Sequence, residues 1–541
     1  MAIMPYIRQG TVIDTLVILF STWAFLGLIR VIRRRSNTTS LKGPPSESFI
    51  FGLHQIIHKS EDSDALYEQW AAEYGSVYQL SGPMGTKRVV LCDPKAILHL
   101  YSKDTFGFVQ IGIIRAFHEK YFGRGIIWAE GESHRRQRKA LTPAFSNVAI
   151  RNITPVFFDS AYKTKAAWDT IFESNPTKDG IIIEVQTWMN HISLDSIGIA
   201  GFSHDFGSIQ GKPSAVLDVF DSFSSVQPDA MSTLMFTLAA TFPIMLKLPN
   251  NRHALFAKLH QTILEISDEL LESTRKEEEG KAGGGRGDAK SIIGSLIKAE
   301  SANSHLRISQ EEVIAQMNVL LLAGYETTSV SLTWALIELS RHPDVQQKLR
   351  DELSRFAATD PTWEELTNGL PYLDAVVHEI LRLHAPLNET TRVVADDDVI
   401  PLGTPLQTAS GNIVDRISVG KGTTVSIPTR CMNRLTGLWG DNAKEFVPDR
   451  WLNDAKDQLK SNEIQGYRHL LTFIDGPRTC LGKGFAVAEF KAVLSVLIRH
   501  YTFEFPDGPE TKVVGYMSIV ERPRVEGQDG AKVPLLVRRV E

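Results

Sequence analysis

Apolar residues recur at helical spacing through most of the chain, interrupted by short alternating runs, so a mainly helical fold with small sheets is expected. Residues 76–80 and 88–92 alternate as half-buried strands do. One periodic run opens where Ser309 and Glu312 have the spacing of a capping box, continues to about Ser340, and is stopped by Arg341-His-Pro343. Inside it lies Ala323-Gly324-Tyr325-Glu326-Thr327-Thr328. A mid-helix glycine costs about 1 kcal/mol against alanine, and two β-branched hydroxyl residues beside a carboxylate add to the penalty. The segment is therefore either a tolerated kink or a place where something approaches closely. Ala323 and Thr327 are four apart and share a face. A second helical run, from Gly482 to His500, carries Phe485, Ala488, Val493, Leu494, Val496 and Leu497.

The N-terminus is patterned differently. From Thr15 to Ile29 no residue is charged, and Leu16 to Phe20, Trp23, Phe25, Leu26 and Leu28 make the run strongly apolar. It is shorter than the ~20 residues that span a bilayer, but Asp14 and Arg30 can snorkel from its ends. Arg30, Arg33, Arg34 and Arg35 follow, against a single Arg8 before it. This predicts one transmembrane anchor within residues 1–35, with the rest of the chain cytosolic. A cleaved signal peptide would carry its basic residues ahead of the apolar core instead. Lys42-Gly-Pro-Pro45 forbids helix and predicts a stiff hinge over residues 36–46.

Composition narrows the class without deciding it. The chain has 541 residues, 43% hydrophobic and 22% charged, with a formal net charge of −5. Length alone allows three or four domains of ~150 residues, yet no linker separates self-sufficient halves after residue 45. Cys92, Cys431 and Cys480 are too few and scattered for a disulfide framework. A slightly acidic chain without a long basic run argues against nucleic acid. The tract from Glu272 to Lys290 is charged and glycine-rich, and is expected to be a mobile loop.

Candidate chemistry centres on Phe473-Ile-Asp-Gly-Pro-Arg-Thr-Cys480-Leu-Gly482. Gly476 and Gly482 permit a sharp turn and close backbone approach, and Cys480 sits just before a helix N-terminus, where negative charge is favoured. Taken alone, this is either an inert cysteine in a glycine-rich turn or a thiolate held against a metal. His378-Glu379-Ile-Leu-Arg382 begins like a zinc-protease helix, but position 382 is Arg and His384 is off the required face. Glu379 and Arg382 are three apart, the spacing of an ordinary surface ion pair.

Phe473, Gly476, Arg478, Cys480 and Gly482 together fill every fixed position of Phe-x-x-Gly-x-Arg-x-Cys-x-Gly, and the chain resembles the cytochrome P450 family over most of its length. The resemblance implies a mainly α fold with small β-sheets (α+β) in a single domain over residues 47–541, haem b (iron protoporphyrin IX) as cofactor, Cys480 as axial iron ligand and Arg478 on a propionate. It implies an oxygen-binding groove at Ala323 and Gly324, with Gly324 making room at the iron, Thr327 positioning a proton through water and Glu326 as the acid end of that relay. It makes Glu379 and Arg382 a buried lock with Arg450, structural in role. Where the family often has Trp-x-x-x-Arg on a propionate, this chain has His134 and Arg138, and Arg392 falls at a further cofactor-binding position. Arg135, Arg136 and Lys139 beside them are either a solvated face or a docking site for an acidic redox partner.

No flavin or nicotinamide fingerprint is present, so the resemblance implies electrons from NADPH-cytochrome P450 reductase, with cytochrome b5 as a second donor, at the endoplasmic reticulum membrane. It implies a monooxygenase acting on a lipophilic small molecule. Pocket walls fall by family position at Phe106 to Trp128, Phe223 to Pro249, Pro386 to Arg392 and Tyr516 to Val520. The run from Met235 to Leu246 is either core or, as an anchored enzyme favours, a membrane-dipping entrance. The signatures at Leu438-Trp-Gly440 and Phe446 to Trp451 resemble fungal members, which tailor terpenoids or polyketides, or attack fatty acids and xenobiotics. Two other classes stay open: a haem-thiolate isomerase or dehydratase, and a haem-binding sensor.

Overall fold

The fold was analysed in a computed structural model. It describes residues 37–175, 179–225, 251–281, 308–356, 358–452 and 460–540, with isolated helical positions within 14–22, at 235 and at 292–294. Most of the expected anchor, the tract 282–290 and all of the expected entrance segment but Met235 lie outside the described residues. Among the described residues, no helix is long and apolar enough to cross a membrane.

Seven helices frame the site: α1 (Gly131–Leu141), α2 (Asn147–Ser174), α3 (Val185–Phe202), α4 (Asn251–Lys281), α5 (Gln310–Arg341), α6 (Pro371–Leu383) and α7 (Lys483–His500). The central α5 packs most extensively on α3, and α7 on α2. The start of α5 is fixed locally. Ser309 Oγ accepts from Glu312 N at 3.2 Å and Glu312 Oε2 accepts from Ser309 N at 3.0 Å, a closed capping box. The same Glu312 accepts from Gln137 Nε2 at 3.1 Å and pairs with Arg136, tying α5 to α1.

A five-stranded sheet has the order β1 (Val77–Ser81), β2 (Lys87–Leu91), β5 (Thr424–Ile427), β4 (Thr390–Val394), β3 (Phe108–Val109). β6 (Val513–Met517) and β7 (Glu521–Val525) form a hairpin with Gly515 opposite Pro523. Buried apolar residues from Leu41 to Val537 form a single core cluster.

One local expectation needs correction. The charged tract is helical up to Lys281, because Glu, Lys and Arg are good helix formers and Glu272 pairs with Lys276 at 2.7 Å, four residues on. Within the expected hinge, which is non-helical from residue 38 on, Thr39 N donates to Ser418 O and Gln79 N to Lys42 O, both at 2.9 Å. A Cβ on Gly43 would fall 1.8 Å from Gln79 O, so only glycine lies this flat against β1.

Candidate active site

The Cys480 loop is a closed turn. Cys480 N donates to Phe473 O at 2.8 Å and Thr479 N to Gly476 O at 3.1 Å. Gly476 has φ +68°, and a Cβ there would sit 2.3 Å from Tyr101 O, so no other residue fits. Ile474 holds φ +57°, a left-handed conformation that costs a β-branched residue on the order of 1–3 kcal/mol. Gly482 has an ordinary φ of −81°, and its nearest obstacle is Phe145 at 3.8 Å. Protein atoms leave open room beside it.

Cys480 is exposed although the fold surrounds it, because its surface faces an internal cleft. The cleft has about 620 Å³ of empty space, part of it open to solvent, and is lined by Thr327, Thr328, Leu387, Phe473, Val487 and Phe490 among others. Desolvation raises the thiol pKa, against the backbone N–H groups of Gly482 and Lys483 and the charges of Arg138 and Lys483, which favour the thiolate. Across the cleft runs α5. Ala323 is exposed and Thr327 half-buried in a mostly buried stretch, and Thr327, Thr328 and Ser331 line the cleft. Thr327 Oγ1 donates to Ala323 O at 2.8 Å.

One side of the site is cationic. Arg478 lies 2.7 Å from Glu130 and 3.5 Å from Asp104, and donates to Ala129 O at 2.6 Å. Arg392 makes a two-pronged pair with Asp104, both contacts at 2.9 Å. Arg138 feels the Cys480 sulfur and Arg478, and burial lowers its pKa. Burial and the nearby guanidiniums lower His134 to about 4, so it is neutral at pH 7. Three guanidiniums against the two carboxylates of Asp104 and Glu130 leave one net positive charge.

These residues fit a flat, anionic, metal-bearing ring: a thiol opening into the cleft, room beside Gly482, apolar walls from Phe473 and Phe490, and guanidinium donors at one edge. Cys480 would take the metal, and Arg478, Arg392, Arg138 and neutral His134 would serve the anionic edge.

Behind the loop, Glu379 and Arg382 are fully buried. Glu379 accepts two bonds from Arg382, both 2.8 Å, one from Trp451 Nε1 at 2.9 Å and one from Val447 N at 3.0 Å, with Arg450 Nε at 3.4 Å. A solvent-facing surface pair is thereby ruled out. Arg382 also donates to Asn433 O at 3.0 Å, and the Asn433 side chain accepts from Leu471 N at 2.9 Å and donates to Thr472 Oγ1 at 2.8 Å. The lock therefore reaches the start of the Cys480 loop through Asn433.

Other expected residues are placed differently. A Cβ on Gly324 would meet Ile197 of α3 at 2.7 Å, so the glycine makes room for the neighbouring helix rather than over Cys480. Glu326 is buried, and Arg522 of β7 holds it, Nε to Oε2 at 3.2 Å. Its carboxylate is turned to that ion pair and is not part of the cleft wall. In the basic patch, Arg136 is spent on Glu312, and Arg135 remains exposed 3.5 Å from Glu132.

Sequence reasoning missed Asp104 and Glu130, which orient the guanidiniums, because nothing local marks them. It also missed Glu489, the one acid within the apolar run of α7, whose isolation was a usable signal.

Comparison with known proteins extends this picture. A family profile described as Cytochrome P450 matches residues 42–524. The chain is 92% identical over 541 residues to the cytochrome P450 monooxygenase claW of Ampulloclitocybe clavipes, covering 100% of both chains. It is 61% identical over 540 residues to claP of the same species, covering 99% of this chain and 100% of that one. To a ganoderic acid synthetase of Ganoderma lucidum it is 31% identical over 506 residues, 89% of this chain and 91% of the relative.

Proposed function

The chain belongs to the cytochrome P450 family and is a monooxygenase of it, and on that premise we propose that it inserts one oxygen atom of dioxygen into a lipophilic secondary metabolite, by hydroxylation or epoxidation. The observation that carries this reading is a thiol opening into an apolar cleft that Thr327 and Thr328 of α5 also line. The apolar lining favours a lipophilic substrate, a terpenoid, polyketide, fatty acid or xenobiotic.

Bound haem, held through Cys480, supplies electron-rich iron suited to O–O cleavage. The chain's own residues set the conditions. Arg478, Arg392, Arg138 and His134 would hold the anionic edge of the group, and Phe473 and Phe490 would flank the sulfur with apolar surface. Thr327 gives its proton to Ala323 O, which leaves its lone pairs free to accept from a water in the cleft. Glu326 can serve as a proton source only after exchanging Arg522 for that water. Electrons come from NADPH-cytochrome P450 reductase, cytochrome b5 being a second donor, with the chain held at the endoplasmic reticulum by residues 1–35.

The test is the spectrum of the reduced protein with carbon monoxide. The strongly red-shifted Soret band of thiolate ligation is expected in the unaltered chain and lost in Cys480→His. A band that survives in the variant would remove Cys480 as the ligand.

A further inference from the structure

Ahead of the Cys480 loop two successive residues, Arg468 and His469, hold left-handed φ angles of +54° and +62°. Such conformations are costly for residues that carry a Cβ, so the surroundings must hold this turn in place. It presents Tyr467, half-buried, to the loop on one side and to α6 on the other. The Tyr467 ring meets Phe473 edge-on with centroids 5.6 Å apart, and Phe473 lines the cleft together with Cys480. On the far side the phenol oxygen lies 3.3 Å from His378 Nε2. His378 is fully buried, and its Nδ1 lies 2.6 Å from Asp374 O. A carbonyl only accepts, so Nδ1 carries the ring proton, and neutral His378 turns the lone pair of Nε2 to the Tyr467 O–H. The Asp374 carboxylate stands 3.3 Å from the same Nδ1, with Lys491 at 2.6 Å and Arg468 at 3.6 Å. Lys483 Nζ sits 4.5 Å from the centre of the Tyr467 ring.

We propose that Tyr467 is a redox-active tyrosine: it yields an electron through Phe473 to haem that a peroxide has oxidised, and its proton to His378, so that oxidising equivalents not spent on substrate leave by way of the Cys480 loop. Burial and the Asp374 carboxylate raise the phenol pKa, so the proton is on the oxygen at rest. The Lys483 ammonium over the ring opposes any positive charge there, so the electron leaves only as the proton does. The O–H bond breaks as the Nε2–H bond forms, which gives a neutral phenoxyl radical and an imidazolium beside Asp374. A thiol or ascorbate at the half-buried ring returns the electron, and the imidazolium returns the proton. Cleavage of a peroxide O–O bond releases one water or alcohol and leaves two oxidising equivalents. Two turns of Tyr467, with two protons from solvent, convert the second oxygen to water. Tyr467 thereby adds a peroxide-reducing activity, and it uses neither Thr327 nor Glu326, whose partners are Ala323 O and Arg522.

The inference rests on the haem-thiolate reading, and electron paramagnetic resonance of the haem-loaded full chain, mixed with hydrogen peroxide without substrate and frozen, separates the two. A tyrosyl signal is expected. Ring-deuterated tyrosine should narrow it, ring-deuterated tryptophan should leave it alone, and Tyr467→Phe, which keeps the ring, should abolish it. The signal should rise more slowly in heavy water, and in His378→Leu by about 100-fold, the low end of what a positioned base supplies. Ascorbate should quench it, and in Tyr467→Phe peroxide consumption with ascorbate should fall while the haem bleaches faster. No radical in a chain that shows the red-shifted carbon monoxide band overturns the proposal. So does a signal that persists in Tyr467→Phe or follows deuterated tryptophan. A rise indifferent to heavy water removes the proton step even where His378→Leu does not fold, and overturns it too. Failure of the unaltered chain to give the red-shifted carbon monoxide band would instead sink the haem-thiolate reading.

Discussion

Glu326 and Arg522 close on each other inside the protein, Nε to Oε2 at 3.2 Å, with both side chains 1% exposed. The pair joins the middle of α5 to strand β7, elements 196 residues apart in sequence. On the same turn of α5, Tyr325 stacks on Phe220 with ring centroids 4.2 Å apart. The helix that roofs the cleft is thus held from two directions next to Thr327, and the carboxylate of Glu326 is already spent on a structural partner.

Removing one member of such a pair leaves the other charged and unpaired in the interior. Arg522→Leu is expected to cost about 3–5 kcal/mol. The double change Glu326→Gln with Arg522→Leu should recover much of that loss. Urea unfolding of the haem-loaded protein measures both, and a single-variant loss under about 1 kcal/mol would mean that water, not Arg522, satisfies the carboxylate.

Gly324→Ala tests what the glycine is for. The added methyl meets Ile197 at 2.7–3.0 Å, an overpacking cost of about 1–3 kcal/mol that the better helix propensity of alanine offsets by about 1 kcal/mol. Combining it with Ile197→Ala should restore the helix contact, giving a clear coupling in a double-mutant cycle. If the glycine instead spares room over Cys480, the carbon monoxide spectrum would change in Gly324→Ala and Ile197→Ala would not correct it.

Thr327→Ala removes the hydroxyl on the cleft face without touching Cys480 or the arginine rim. Haem binding and NADPH consumption with reductase should persist while product falls and peroxide rises, a loss of about 10-fold or more if the hydroxyl takes part in proton transfer. Product per NADPH equal to that of the unaltered chain would leave α5 as only a roof.

What could be read in advance divides by range of interaction. The capping box of Ser309 and Glu312 and the Cys480 turn are local, so spacing alone specifies them. Glu379 and Arg382 are local too, but their i,i+3 spacing fits a surface pair as well as a buried lock, and only the family resemblance pointed inward. Asp104 with Arg392, and Glu326 with Arg522, are made by tertiary packing between distant segments and leave no periodic trace. The helix through Glu272–Lys281 was misread because low hydrophobicity argues against burial, yet once a helix is nucleated its extension needs only good helix formers.

His191 of α3 gives a pH signature away from the site. Its ring meets Trp188 edge-on at 6.0 Å, its Nδ1 has no partner, and burial lowers its pKa from 6.5 to about 4. The unfolded chain therefore takes up a proton below about 6.5, while the folded chain does so only near 4. Stability from this position is whole above 6.5 and drains as pH falls toward 4, by up to about 3 kcal/mol. Urea midpoints in His191→Gln should fall less steeply over this window than in the unaltered chain, and identical slopes would exclude the shift.

The last prediction concerns the membrane. Fifteen uncharged residues from Thr15 to Ile29, followed by four arginines, favour one anchor with the haem domain cytosolic. The full chain should sediment with endoplasmic reticulum membranes, resist carbonate extraction and leave its haem domain open to protease outside sealed vesicles. Deleting residues 1–35 should weaken attachment and preserve the red-shifted carbon monoxide band, because the cut falls before Asn37 and Thr38, whose side chains already bond Asp397 and Thr423, and no described cleft residue lies ahead of it. Some peripheral binding through residues 235–246 is expected to remain. Protease protection of the haem domain would reverse the topology, and a full-length chain that stays in the supernatant would remove the anchor.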